Sequence, residues 1–311
     1  MYTYIMMNEK DLNMKTLVTF DSASGKFVGS VNGKVVVRSK YEDAVKARLS
    51  EMSGTIAEAE KAIEAKNEKY GINERFSFVE KLVTMVATGV QPSAVITGEG
   101  GLGKTYTVTK TLEANGLKDI SDLADFQVGT VLNARKCFTF VKGYSTPKGL
   151  YRTLFENNKG TIVFDDCDAV LKDPVALNLL KSALDSYGKR IISWNADMRD
   201  DDLPRSFNFE GRVIFISNMA QDKIDQAIRS RSMMIDLSMT LTQKIDRMEH
   251  IALSEEFLPE YDKECKVDAL ALIREIKDEC KEISLRTLIS VTKVRASNKD
   301  WKDLATYMLT A

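Results

Sequence analysis

The sequence predicts an α/β protein, with a parallel sheet covered by helices on both faces, a C-terminal helical lid and a small β-rich N-terminal module. Three observations lead to this fold class. Between residues 73 and 239, short apolar runs typical of buried strands alternate with helical stretches, which favours a mainly parallel sheet. A glycine-rich loop follows one of these runs and opens a helix. Residues 240–311 have an almost wholly helical pattern.

The N-terminal module comprises residues 1–50. Helical spacing over residues 41–52 follows its strands, so we expect three strands and one helix. Residues 51–72 are rich in Glu, Lys and Ala and predict a charged helical linker. The runs of high β-propensity are separated by the turn segments SASG and Asn-Gly: TLVTFD (16–21), KFVGSV (26–31) and VVVRS (35–39).

The central region, residues 73–239, contains the apolar runs that we expect to form the main sheet. An inserted hairpin or loop is predicted over residues 195–210, where Trp194 and Phe207 are expected to pack structurally. The expected strands are PSAVITG (92–98), FTFV (138–141), TIVF (161–164), RIISW (190–194) and RVIFIS (212–217).

Composition describes an ordinary globular chain. The 311 residues are 44% apolar and 29% charged, and 44 basic against 45 acidic side chains give a net charge of −1. His250 is the single histidine, which excludes His-rich metal sites. The four cysteines lack CxxC spacing, which argues against zinc ribbons and redox motifs and fits a reducing compartment.

The first residues, MYTYIMMNEKDLNM, have no signal-peptide pattern. No apolar run approaches the roughly 18 residues that span a bilayer. We therefore expect a soluble cytoplasmic protein without a membrane partner.

Overall neutrality conceals a local excess of positive charge. Residues 15–50 carry seven basic and three acidic side chains, a net charge of +4. The pattern GKF…NGKVVVRSKYEDAVKARL resembles the small sheet-plus-helix DNA-binding modules of integrases and AP2-type factors, in which the sheet enters the major groove. DNA is thus a possible partner of residues 15–50. A solubilising or oligomer-contact module is the alternative.

Residues 98–105, GEGGLGKT, match the phosphate-loop pattern GxxxxGK followed by Ser or Thr. The backbone N–H groups of such a loop curl around a triphosphate at a helix N-terminus. We expect Lys104 to reach the β- and γ-phosphates of ATP, and the Thr105 hydroxyl to ligate Mg²⁺. The predicted nucleotide-binding residues are Gly98, Glu99, Gly100, Gly101, Leu102, Gly103, Lys104, Thr105 and Tyr106.

The run TIVFDD (161–166) follows some 56 residues after this loop. An apolar strand that ends in acids places carboxylates at the edge of the sheet where α/β proteins bind ligands. Asp165 is predicted to hold Mg²⁺ through water, and Asp166 to orient or deprotonate the attacking water. Taken alone, such a run is also a common strand end that meets a polar turn.

These motifs resemble the Walker A and Walker B motifs of the AAA+ ATPases, and the resemblance covers about residues 71–311. VIFISN ends in Asn218, which resembles the family's sensor-1 residue on the strand between the Walker motifs. An Asn after an apolar strand is also a common turn starter. ISLRTLISVTKVR resembles the sensor-2 helix of the lid, with Arg286 as the sensor residue.

AIRSRSMMIDL resembles the family's arginine-finger segment, with Arg229 and Arg231 as candidates. Such an arginine reaches the γ-phosphate held by the neighbouring subunit, and the family's Ser-Arg variants favour Arg231. Two arginines at this spacing could equally be solvated surface charges. The resemblance implies a homo-oligomer, most often a hexameric ring.

Two departures from the family pattern matter. The family usually has Asp-Glu at Walker B, whereas this chain has Asp165-Asp166, a shorter carboxylate that would slow turnover unless the geometry compensates. Fewer than twenty residues, Gly143 to Lys159, lie between the second strand and Walker B, which is short for the pore loop of protein-unfolding members. PKGLYRTL before TIVFDD resembles the branch containing MoxR and dynein-related ATPases.

The expected function is ATP hydrolysis at the subunit interfaces of a ring, driving remodelling or loading on DNA or on a protein–DNA complex. Two alternatives remain open. One is a MoxR-like remodeller that acts on a protein substrate without nucleic acid. The other is a nucleotide-gated binding scaffold with slow hydrolysis, and it is favoured by Asp166 at a position where the family usually has Glu. The compact layout suits a phage or mobile element, which would act in the host cytoplasm.

Overall fold

The computed structural model describes residues 4–5, 16–21, 24–31, 34–51, 69–121, 135–185, 188–195, 203–297 and 299–311. The chain divides into two compact units. Ile72–Met239 form one, and Met1–Gly71 together with Thr240–Ala311 form the other. The Asn-Gly turn and most of the linker predicted over residues 51–72 lie outside the described residues.

The unit Ile72–Met239 is built on a six-stranded sheet in which every strand pairing is parallel. The strands are β5 (Ser93–Thr97), β6 (Lys118–Asp119), β7 (Cys137–Lys142), β8 (Thr161–Asp165), β11 (Arg212–Ser217) and β12 (Met233–Asp236). The order across the sheet is β12-β5-β11-β8-β7-β6. The α/β fold predicted from the sequence is therefore confirmed.

Helices cover both faces of this sheet because the central strands are apolar on both sides. Their bounds are Ile72–Ala87 (α2), Lys104–Ala114 (α3), Pro147–Glu156 (α4), Pro174–Ala183 (α5) and Gln226–Arg231 (α6). On β11, Val213 and Phe215 belong to one buried cluster, and Ile214 and Ile216 belong to the other. Helices α4, α5 and α6 pack on the first face, and α2 and α3 pack on the second.

Helix starts in this unit follow local chemistry. The Thr146 hydroxyl accepts a hydrogen bond from the Gly149 N–H before α4, and the Asp173 carboxylate accepts bonds from two N–H groups before α5. Proline occupies the first position of both helices, where its missing N–H is not needed.

The run RIISW forms a strand, but not in the main sheet. β9 (Ile191–Ser193) pairs in antiparallel fashion with β10 (Ser206–Asn208) as a separate two-stranded hairpin. Trp194 and Phe207 both lie against Tyr151, with ring centroids 5.7 and 5.2 Å away, so their predicted structural packing is confirmed. β12 forms an edge strand of the main sheet instead. In the sequence, this segment stands out for its arginines, and no strand is predicted there.

The N-terminal module is an antiparallel sheet of four strands, against the expected three. The additional strand, β1 (Tyr4–Ile5), has two residues and pairs with β2. A helix over residues 42–51, α1, contributes Val45 and Leu49 to the module's small core. The other strands, which follow β1 in chain order across the sheet, are β2 (Thr16–Asp21), β3 (Lys26–Val31) and β4 (Lys34–Ser39).

Residues 240–311 form the helical part that the sequence predicts. Met248, Ile273, Leu288 and Val291 are among the fully buried residues of its core. In the parts of the chain that the structure describes, no helix is long and apolar enough to cross a membrane. The helices are α7 (Leu241–Ala252), α8 (Lys263–Glu275), α9 (Leu285–Ser297) and α10 (Trp301–Thr310).

Gly29 on β3 allows α1 to approach the N-terminal sheet. A Cβ at this position would lie 2.7 Å from a methyl group of Val37 and from one of Val45. Because β-branched side chains cannot easily turn away, we expect Gly29→Ala to cost about 1–3 kcal/mol of stability. Chemical denaturation combined with hydrogen exchange of the β2–β4 amides would measure the loss.

Gly71→Ala is the matched control, since a Cβ there meets nothing within 4 Å. It should leave stability unchanged or raise it slightly. Equal stability of the two variants would contradict the tight packing at Gly29.

Candidate nucleotide-binding site

The loop after β5 depends on glycine. Gly98 has a φ of 136°, and a Cβ there would lie 2.9 Å from the carbonyl carbon and oxygen of Leu237. Gly103, immediately before α3, has a φ of 93°, in the left-handed region. Leu102 is buried in the core between them and anchors the loop. Since α3 begins at Lys104, the first N–H groups of that helix lie at the loop.

Lys104 is the buried cation of this loop, with 5% of its surface exposed. Its Nζ donates hydrogen bonds of 2.6 Å to the carbonyl oxygens of Gly98 and Glu99 and one of 3.0 Å to Asn218 Oδ1. Burial lowers the pKa of Lys104, and the charges of Asp166 and Asp165 oppose this shift. The loop therefore holds a positive charge beside its own backbone donors, which suits it to a phosphate group.

Thr105 and Asp165 form an oxygen-rich pair next to this cation. Thr105 Oγ1 lies 3.1 Å from each carboxylate oxygen of Asp165. Burial raises the pKa of Asp165, and the hydrogen bond from Thr105 acts in the opposite direction. No group of three or more His, Cys, Asp or Glu side chains that could hold a metal occurs among the described residues. A hydroxyl and a carboxylate alone match the way Mg²⁺ is bound, with phosphate oxygens and water completing its shell.

Asp166 is exposed and has an unusual backbone. Its φ is 55°, in the left-handed region that Asp and Asn tolerate better than longer side chains. Its N–H donates to the Ile216 carbonyl at 3.1 Å, and its Oδ1 accepts a 2.7 Å hydrogen bond from Asn218 Nδ2. The aspartate that departs from the family pattern thus lies at a position where its short side chain suits the local conformation.

Asn218 joins the loop to the acids. Its Oδ1 accepts from Lys104 while its Nδ2 donates to Asp166. This is possible because β11, which ends just before Asn218, lies between β5 and β8 in the sheet. The carboxyl ends of three adjacent parallel strands therefore bring together the predicted residues Lys104, Thr105, Asp165, Asp166 and Asn218.

Sequence analysis missed two residues that support this arrangement. Ser217 Oγ donates a 2.6 Å hydrogen bond to Asp168 Oδ1 and accepts one from the Met219 N–H. These bonds hold the turn that carries Asn218 against the acidic turn after β8. The third acid in the run DDCD was the available signal for Asp168, whereas nothing in the sequence distinguished Ser217.

Arg75, also missed, supports the loop from α2. It is buried, and its Nη1 donates to the carbonyl oxygens of Asp236 and Ser238 at 3.0 and 2.9 Å. These carbonyls flank Leu237, the residue that Gly98 approaches. In the sequence, Arg75 is one polar residue in an apolar helical stripe, so only the structure identifies its partners.

The structure places the two arginine-finger candidates away from this loop. Ser93 Oγ donates to the Arg231 carbonyl at 3.1 Å, and Ser93 begins β5, about 13 Å from the end that carries the loop. Arg231 Nη1 donates to the Ala227 carbonyl of its own helix, whereas Arg229 is exposed. Arg231 thus lies at the start of β5, whereas the phosphate loop follows the end of that strand.

Tyr106 and Arg286 are exposed side chains. Tyr106 is 52% exposed on α3, with Lys110 Nζ 5.8 Å from its ring centroid. Arg286 is an exposed residue of the first turn of α9, in the unit that contains residues 240–311.

Comparison with known proteins gives one relative and no named activity. No family model matches the chain. The chain is similar to an uncharacterized 36.7 kDa protein from the nrdC–mobD intergenic region of Enterobacteria phage T4. The two are 28% identical over 257 residues, which cover 76% of this chain and 74% of the phage protein.

Replacement of Asp165 by Asn should raise the stability of the folded protein and at the same time abolish Mg²⁺ binding. Because burial raises the pKa of Asp165, its ionised form is disfavoured in the folded protein, and Asn removes that charge while keeping an oxygen for Thr105. We expect a higher Tm than wild type at pH 7, and a difference that shrinks as falling pH protonates Asp165. We also expect loss of any Mg²⁺-dependent thermal shift with ATP.

Thermal unfolding between pH 4 and 8 would measure these effects. Asp222→Asn, an exposed acid of the same unit, is the control and should leave Tm nearly unchanged. A lower Tm for Asp165→Asn at pH 7 would contradict the inferred cost of burying this carboxylate.

Proposed function

We propose that this chain is an AAA+ P-loop ATPase that binds ATP with Mg²⁺ at the loop after β5 and hydrolyses it. The observation that carries this proposal is the hydrogen-bonded chain from Lys104 through Asn218 to Asp166, beside the Thr105–Asp165 pair. These are the residue types that phosphoryl transfer to water requires, gathered at one edge of the sheet.

Each residue has a role in this proposal. The loop N–H groups and Lys104 bind the phosphates, and Thr105 with Asp165 hold Mg²⁺, which neutralises developing phosphate charge. Asp166 accepts a hydrogen bond from the attacking water and orients it, with Asn218 fixing the carboxylate. The position of Asn218 between the two Walker strands agrees with the sensor-1 role that the family resemblance implies.

ATP would lie between subunits of a ring, for which a hexamer is the expected form. The support comes from Arg231, whose carbonyl lies beside Ser93 at the start of β5, the end of the sheet opposite the loop, so that its side chain suits a neighbour's nucleotide better than its own. Arg229, two residues earlier on the same helix, is the other candidate. Arg286 is proposed to have the sensor-2 role that the family resemblance implies for the helical lid.

The output that we propose is remodelling or loading on DNA or on a protein–DNA complex. Among the described residues of the N-terminal module, Lys26 and Arg38 are exposed on neighbouring strands, which supports a contact with nucleic acid. A MoxR-like protein remodeller remains the near alternative. Similarity to a phage protein supports a role in the cytoplasm of a bacterial host.

A nucleotide-gated scaffold with slow hydrolysis is the second candidate. Its support is Asp166, whose carboxylate is one methylene shorter than that of the family's Glu and is bonded to Asn218. ATP would then switch assembly rather than drive repeated turnover. Negligible steady-state turnover together with ATP-dependent assembly on size-exclusion chromatography would favour this candidate.

Lys104→Ala tests nucleotide binding and Asp166→Asn tests turnover. Loss of a charge-assisted hydrogen bond should weaken binding of a fluorescent ATP analogue roughly tenfold to a hundredfold in Lys104→Ala. Asn tolerates the φ of 55° at position 166, so Asp166→Asn should bind ATP normally while steady-state hydrolysis falls roughly 10²- to 10⁴-fold.

Lys110→Ala, an exposed lysine on the same helix as Lys104, is the matched control. Unchanged ATP binding in Lys104→Ala would refute the proposed site. Full turnover in Asp166→Asn would remove Asp166 from the reaction and leave the binding assignment intact.

A mixing experiment tests the action of the arginine between subunits. Arg231→Ala is expected to keep ATP binding and to lower the hydrolysis rate by about 10³-fold or more. Arg229→Ala, which changes the other arginine of the same helix, is the matched variant. Subunits carrying the deleterious arginine change, mixed with Lys104→Ala subunits, should regain part of the activity, because some interfaces then combine an intact loop with an intact arginine. Full activity of both arginine variants would exclude a trans finger.

A further inference from the structure

A second basic site lies at the opposite edge of the main sheet. An open cavity of about 580 Å³ is bounded by the segments that precede or begin β7, β8, β9 and β11. Its charged lining residues are Arg135, Lys159, Lys189, Arg190, Glu210 and Arg212. Five of these six carry positive charge, in a unit of the protein whose overall charge is zero. The phosphate loop is at the other end of the strands.

Two of the arginines are held by backbone carbonyls. Arg212 Nη1 donates to Ala87 at 2.6 Å, where α2 ends, and Arg212 Nη2 donates to the Arg135 carbonyl at 2.9 Å. Arg190 Nη1 donates to Ala183 at 3.0 Å, where α5 ends. These contacts stabilise helix C-termini and fix the guanidinium groups in place, and the partial negative charge of a helix C-terminus offsets only part of the full positive charge of each arginine.

The carboxylate of Glu210 is the acidic counterpart among these lining residues, and it pairs with Arg135 at 3.0 Å. Burial lowers the pKa of Arg190 and of Arg212. The positive charge of Arg212 lowers the pKa of Arg190 further, and the positive charge of Arg135 lowers the pKa of Arg212 further. The guanidinium groups thus repel one another across the cavity, and an anion bound there would relieve that repulsion.

The shape of the cluster favours an extended anion. Arg135, Lys159 and Arg212 precede or begin the adjacent strands β7, β8 and β11, so these residues form a row of backbone positions about 10 Å long across the sheet edge. An isolated phosphate would meet only part of this row. Phe209, the aromatic residue of the lining, is 1% exposed and lies beneath Arg190, so it offers no ring for a base to stack on.

We propose that this cavity binds the phosphodiester backbone of duplex nucleic acid, without reading its sequence. Charged side chains on a fixed edge contact phosphates, whereas sequence recognition requires groups that reach base edges. The site is separate from residues 15–50, which are a different candidate contact. It extends the proposed function by naming a nucleic-acid contact on the ATPase unit itself, and it does not depend on ATP turnover.

The test is a salt titration of duplex DNA binding by the full chain, followed by fluorescence anisotropy without nucleotide. The variant Lys159→Gln with Lys189→Gln removes two cations of the lining and leaves the Arg135–Glu210 ion pair in place. The slope of log K against log salt is negative, and each phosphate contact that a substitution removes should reduce its magnitude by about 0.9. We therefore expect the magnitude to fall by about 2 in the double variant. The matched control, Lys172→Gln with Lys223→Gln, removes two exposed cations elsewhere in the unit and should not change the slope.

An unchanged slope in the cavity variant, or an equal decrease in the control, would overturn the proposal. Equal competition by inorganic tripolyphosphate and by a long duplex, at equal phosphate concentration, would also overturn it in favour of a small polyanion. Lys189→Gln alone, with an expected slope change of about 0.9, keeps the test decisive if the double variant misfolds. In a Lys104→Ala background, the cavity substitutions should change the slope of log K against log salt by the same amount. Failure of the ATPase proposal and failure of this proposal are therefore distinguishable.

Discussion

The buried ammonium group of Lys104 is the interaction around which the candidate site is organised. Burying this charge is costly, and the carbonyls of Gly98 and Glu99 with the Asn218 amide offset that cost. The loop can fold back over the ammonium because Gly98, Gly101 and Gly103 adopt positive φ, and Asn218 can reach the ammonium because β11 lies beside β5. The ammonium group in turn attracts the two carboxylates at the end of β8, although for Asp165 burial outweighs this attraction and raises the pKa. The loop, the acids and the strand order therefore form one electrostatic unit.

The two ends of the same sheet have different chemistry for a structural reason. At the carboxyl ends of the strands, short loops present glycine N–H groups, one lysine and two carboxylates, which suits a phosphate with its metal ion. At the amino ends, arginines bind carbonyls at the C-termini of α2 and α5. Because the helices of a parallel α/β unit run back across the sheet, their negative ends collect at that edge and attract cations. The basic cavity is a consequence of this polarity.

Asp166 shows how backbone conformation and chemistry restrict each other. Its left-handed φ favours a short acid, and the hydrogen bond from Asn218 holds that acid beside the lysine. A longer glutamate would have to accept backbone strain at this position. The short side chain of Asp166 therefore suits the local turn, which also receives the Ser217–Asp168 hydrogen bond.

Local patterns in the sequence predicted the α/β class, the glycine loop, the acids after β8 and Asn218 at the end of a strand, because strand periodicity and glycine spacing are properties of neighbouring residues. The same patterns could not show that RIISW pairs within a hairpin, that β12 completes the sheet, or that Arg75 supports the loop through carbonyls some 160 residues away. Pairing partners and buried contacts depend on which segments meet in space, and nothing local encodes that choice. The sequence alone therefore determined the fold class and the identity of most candidate site residues. The proximity of Lys104, Asn218 and Asp166, and the row of cations at the opposite edge, were decided only when parallel strands aligned their ends.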